Sequence, residues 1–119
     1  MRNLVLVFIV VAVMFFSSPA VRAQETCPGG MTPTIASLEE CVTHCLAVGH
    51  IDNAGVANSL LAKLHSAAAA ESRGDASAAI AKLQAFTHEV EAQSGNHIGE
   101  EHAEHLIMHA EVVIAALQL

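Results

Sequence analysis

From Leu38 onward, apolar residues recur at three- and four-residue spacing, and glycines interrupt the pattern. Leu38, Cys41, Val42, Cys45 and Leu46 share one face of a first helix, which opens at Ile35 or Ser37 and ends at Gly49. Glu39 and Glu40 are placed in its first turn, where negative charge suits the helix dipole. Asp52 or Asn53 caps a second helix. Its stripe is Val56, Leu60, Leu61, Leu64, Ala67 and Ala68, and it stops at Gly74 after Arg73. A third helix, capped by Asp75 or Ser77, carries Ala79, Ile80, Leu83, Phe86 and Val90 and stops at Gly95. A fourth starts near Gly99 with Glu100 and Glu101 in its first turn. It has the widest stripe: Ala103, Leu106, Ile107, Ala110, Val113, Ile114 and Leu117. Ile98, between two glycines, reads as a hydrophobic plug under the bundle. No stretch alternates in the manner of a strand, and the connections are short. The expected fold is all-α, a small antiparallel four-helix bundle whose first helix has the weakest pattern.

The beginning of the chain reads differently. Met1-Arg2-Asn3 is a short positive start, and Leu4 to Phe16 is an unbroken apolar run of thirteen residues. Ser17-Ser18-Pro19 breaks it, and Val21-Arg22-Ala23 presents small residues around a cleavage position. This is the pattern of a secretory signal peptide cut after Ala23. The run falls short of the ~20 apolar residues of a membrane span, so no span is expected after cleavage. The expected organisation is a signal peptide over residues 1–23, an irregular leader over 24–36 rich in Pro and Gly, and a helical domain over 37–119. Localisation follows as periplasmic or extracellular.

Charge narrows the partners. The part after Ala23 holds all twelve acids against Lys63, Arg73 and Lys82, an excess of nine negative charges. Such a chain repels nucleic acid and anionic lipid. Phe86 is its single aromatic, which argues against a sugar-stacking platform.

The residues of the last three helices carry a resemblance. Gly55-Val56-Ala57-Asn58-Ser59-Leu60-Leu61-Ala62-Lys63-Leu64, then Arg73-Gly74-Asp75, Ala79-Ile80, Leu83, Ala85-Phe86 and Val90-Glu91-Ala92 resemble the FIMAH domain. So do Ser94-Gly95, Ile98, Ala103 and Leu106-Ile107. The resemblance runs from about Leu38 to Leu117, glycines included. It implies a small helical module of the kind found beside the catalytic domains of secreted bacterial hydrolases and in surface proteins. It implies no catalytic motif and an accessory or adhesive role. The chain is expected to stand without an attached enzyme, and it departs from that pattern in the cysteines of its first helix and in the histidines of its last.

Those departures are the candidate chemistry. His102, His105 and His109 fall within roughly 60° of one another on the fourth helix. They read as a face flanking the apolar stripe, with Glu101 and Glu104 adjacent and His97 just before. Imidazole is the commonest protein metal ligand, and a His and Glu set suits copper, nickel or zinc. The candidate metal ligands are therefore His102, His105, His109 and Glu101. The composition of this helix also resembles small His-rich periplasmic metal-binding bundles, although helices two and three lack repeated histidine. His44, His50, His65 and His88 read as surface residues.

Cys27, Cys41 and Cys45 would meet an oxidising compartment after export, so one disulfide is expected. Cys41 and Cys45 share a helix face with Cβ directions poor for bridging, whereas Cys27 in the leader can reach either. The expected pair is Cys27 with Cys45 or Cys41. Ser59, Ser66, Ser72, Ser77 and Ser94 show no oriented base, so an enzyme is not expected. No cofactor is called for, beyond a divalent transition metal on the alternative reading. The leading reading is an exported non-catalytic binding or accessory module whose partner is another exported protein or an envelope component. The alternative is a small periplasmic metal-binding protein using the His-rich last helix.

Overall fold

The structure is a computed structural model that describes Cys27 and residues 30–119. The proposed signal peptide lies outside the described residues. Four helices follow: α1 Ile35–Val48, α2 Ala54–Ser72, α3 Ala76–Gln93 and α4 Glu100–Leu117. No strand forms among the described residues, only isolated bridges. α1 packs on α2 and α4, α2 on α3, and α3 on α4, so each helix touches its two neighbours around a square. With connections this short, neighbours run antiparallel.

Side-chain oxygens start three of the helices. Thr34 accepts from the Ser37 N–H, Asn53 from the Val56 N–H and Asp75 from the Ala78 N–H. Each satisfies a donor that the first turn would otherwise leave orphaned. Capping at Thr34 makes Ile35 the first residue of α1, one of the two starts that the sequence pattern offered. Glu39 and Glu40 consequently fall beyond the first turn, where the dipole acts weakly on them. Gly99, lacking a side chain, caps α4 with no such bond, and Glu100 and Glu101 supply the first-turn charge instead. Gly74 shows why α2 stops where it does. Its φ of 77° is left-handed, and the Asp75 N–H returns to the Ala70 carbonyl at 2.9 Å.

The apolar stripes close on one another. Leu38, Val42, Leu60, Leu64, Leu83, Phe86, Val90 and Leu106 are all fully buried. Ile98 is buried as well, and its placement has a backbone explanation. The α1–α2 and α3–α4 connections meet in an antiparallel bridge between Ile51 and Ile98. The Asp52 N–H donates to the His97 carbonyl at 3.0 Å, and the Gly99 N–H to the His50 carbonyl at 3.2 Å. His97 Nδ1 lies 2.8 Å from Asp52 Oδ1, clasping the same two loops from outside. This small clip closes one end of the bundle with two isoleucines beneath it.

At the N-terminal side, Cys27 and Cys41 form a disulfide across a sequence separation of 14, with Cα atoms 4.9 Å apart. The bridge ties the leader to α1. In the chain-entropy model a loop of this size contributes ~3 kcal/mol. Cys45 is left as a buried free thiol, and its burial raises its pKa.

Candidate functional site

The histidines of α4 separate by environment. His109 is fully buried, packed inside rather than flanking the apolar stripe. It sits three residues after Leu106 and four before Val113, both core residues, so helical geometry turns it inward. Its Nε2 lies 2.8 Å from the backbone carbonyl of Thr32 in the leader. A carbonyl only accepts, so Nε2 carries the proton, and in the neutral ring Nδ1 holds the bare lone pair. Nδ1 is enclosed and has no hydrogen-bond partner.

His102 turns the other way and stacks on His50 from the α1–α2 connection, with ring centroids 3.5 Å apart and planes inclined by 18°. His50 is thus half-buried rather than a plain surface residue. His105 is half-buried between the two, edge-on to His109 at 6.5 Å. Burial lowers its pKa, and the neighbouring His109 adds to the effect. Glu101 is exposed. The set His102, His105, His109 and Glu101 is accordingly not gathered around one point. Among the described residues, the cluster whose ligand atoms lie within 4.8 Å of one another is Cys27, Cys41 and His109. The rest of the set fails to converge because the bundle boundary cuts through the histidine face. His109 points into the core, His102 points across to His50, and Glu101 points to solvent.

A second polar cluster joins α2 to α3. Ser59 donates to Glu89 Oε1 at 2.9 Å, and Lys63 Nζ lies 2.9 Å from the same oxygen and 3.3 Å from Ser59 Oγ. Ser59 therefore does have oriented partners, which its sequence surroundings did not reveal. Their arrangement is that of an inter-helix tie. The hydroxyl is donated to the carboxylate, the ammonium is ion-paired to it, and the backbone around Ser59 is mid-helix, with no free N–H to hold an oxyanion.

An open groove of about 630 Å³ runs along α1 and α2, lined by Glu39, Glu40, His44, Leu61 and His65 among others. His65 Nε2 sits 3.1 Å from Glu39 Oε2 across it. His88 is exposed on α3.

Comparison with known families adds one finding. The FIMAH domain model matches residues 35–115. The chain belongs to the FIMAH domain family. No curated protein and no solved structure matches it. The positions that carry the FIMAH resemblance are now explicable. Leu60, Leu64, Leu83, Phe86, Val90, Ile98 and Leu106 are core, and Gly74 and Gly95 are left-handed turns with φ of 77°. They specify the FIMAH scaffold. The cysteines and the histidines of α4 lie outside the positions that carry the resemblance.

What the sequence reading missed is the meeting of Cys27 and Cys41 with His109. The available clue was the spacing of His109 to Leu106 and Val113, which places it on the stripe rather than beside it.

Proposed function

We propose that this FIMAH domain is an exported, non-catalytic bacterial module that docks on another exported protein or a component of the cell envelope. The family match over residues 35–115 carries the reading, because the resemblance implies an accessory role and brings no catalytic motif. The groove between α1 and α2 supplies the docking surface. It is open and edged by carboxylates, with an alanine and leucine floor. Such a surface suits a protruding segment with an apolar ridge and basic flanks. None of the helices among the described residues is long and apolar enough to cross a membrane.

Chemical cross-linking in the envelope fraction, followed by mass spectrometry, tests this. Ala36→Arg and Ala47→Arg place bulky cations on exposed helix positions lining the groove. One exported or envelope protein should cross-link to the wild type and be lost from both variants at unchanged helicity. Retention of the same partner by both variants, or the absence of any specific cross-link, refutes the assignment.

A further inference from the structure

We propose that Cys27, Cys41 and His109, when the cysteines are reduced, form a buried binding site for a thiophilic d¹⁰ metal ion, zinc(II) or copper(I), which the disulfide switches off. The site goes beyond the docking role and does not depend on it. Three observations converge on it. Two sulfurs and a ring nitrogen of His109 lie within 4.8 Å of one another. All three residues are almost fully enclosed, Cys27 at 5%, Cys41 at 0% and His109 at 0% exposure. The third observation is the state of the His109 ring. Its Nε2 proton is engaged by the Thr32 carbonyl at 2.8 Å, and its Nδ1 has no partner.

An orphaned buried acceptor is costly, and a native protein normally satisfies it. Here the bare nitrogen belongs to a ring whose other nitrogen is held by a backbone carbonyl. That is the outer-shell arrangement by which proteins orient a metal-ligating histidine and set its tautomer. Thiolate sulfur selects soft ions, and an imidazole nitrogen completes a set suited to zinc(II) or copper(I). Ligand atoms at ~2.0–2.3 Å from an ion stand roughly 3.5–4 Å apart, within the spacing found. His102, His105 and Glu101 take no part, so this site differs from a histidine face on α4.

The two states interconvert by a two-electron step. A dithiol reductant exchanges with the Cys27–Cys41 bond and leaves as its own disulfide. Its two protons and two electrons remain on Cys27 and Cys41 as thiols. Metal binding then displaces both thiol protons to solvent. In the disulfide state neither sulfur is a thiolate, and the set has only His109 to offer. Because Cys27 and Thr32 belong to the leader, Cys41 to α1 and His109 to α4, the ion would replace the disulfide as the tie that holds these segments together.

The test uses the purified protein, reduced with a phosphine under argon and titrated with cobalt(II), zinc(II) and copper(I). The reduced protein should bind one equivalent with a Kd tighter than about 1 µM. Sulfur-to-cobalt charge-transfer absorption should accompany the cobalt titration, and the disulfide form should bind none of the three. Zinc and copper(I) are separated by competition against a chelator selective for each. Cys27→Ser, Cys41→Ser and His109→Gln should each weaken binding about 100-fold, while Cys45→Ser and His102→Gln leave it within threefold. Should a ligand variant disturb folding, nitrogen NMR of the wild-type imidazoles gives the answer without mutation, since the His109 Nδ1 resonance must move on metal addition. Binding weaker than about 1 µM, equal binding by the disulfide form, or a shift confined to His102 and His105 overturns the proposal.

Discussion

Replacing Ile98 by alanine separates a structural keystone from an ordinary loop residue. Ile98 sits in a short connection between Gly95 and Gly99, where a substitution at an exposed position would cost less than ~0.5 kcal/mol. In the structure its side chain is 0% exposed and lies in the core cluster beneath the Ile51 bridge. Ile98→Ala removes three methyl or methylene groups. At ~0.8 kcal/mol each, the transfer term alone is about 2.4 kcal/mol. The loop is tied by hydrogen bonds on both sides of Ile98, from Asp52 N–H to His97 and from Gly99 N–H to His50, so the site collapses poorly. A cavity term therefore adds to the transfer term and brings the loss to about 3–4 kcal/mol. A domain of this size is stable by only ~5–12 kcal/mol, so the melting temperature should fall by roughly 15–25 °C. Circular dichroism through thermal and urea unfolding measures it, with an unchanged urea slope showing that the native state stays compact. Ile98→Val should cost only ~1 kcal/mol. A loss below about 1 kcal/mol for Ile98→Ala would refute the picture of a closed bundle end sealed by this residue.

Further outcomes follow from local geometry. Asn53→Ala deletes the acceptor of the Val56 N–H at 3.0 Å and should cost ~1 kcal/mol in urea unfolding, with Asn53→Gly costing only a few tenths. His105 has its pKa lowered by burial and by His109, so the fold binds its proton less readily than the unfolded chain. Stability from this group is full above the ordinary histidine value of about 6.5 and is lost as pH falls below it, towards the lower folded value. Melting temperatures from pH 8 down to pH 5 should therefore decline, and His105→Gln should flatten the decline. The Cys45 thiol, buried and raised in pKa, should resist alkylation in the native protein. Mass spectrometry should find one label after unfolding without reductant and three after reduction.

The four helices and their faces were legible because a helix repeats every 3.6 residues, and Leu60, Leu64, Leu83, Phe86, Val90 and Leu106 fall on that period. Their ends were legible because left-handed backbone favours glycine, which puts Gly49, Gly74 and Gly95 where helices stop. The choice between neighbouring caps was not. Asp52 and Asn53 are chemically alike as caps, and Asn53 takes the role while Asp52 meets His97, a residue far along the chain.

Local periodicity, turn chemistry and charge thus determine, from the sequence alone, an acidic all-helical FIMAH scaffold around aliphatic side chains. Tertiary structure alone decided who meets whom across it. Cys41 and Cys45 share one face of α1, and spacing offers no means to choose between them as the partner of Cys27. Packing resolves it, since the leader crosses α1 where Cys41 lies, leaving Cys45 enclosed. Likewise, three histidines on one side of α4 look equivalent by angle. The leader covers one of them, a loop histidine stacks on another, and the third sits between. Contacts between residues dozens of positions apart set these environments, and a pattern that repeats every few residues carries no information about such distances.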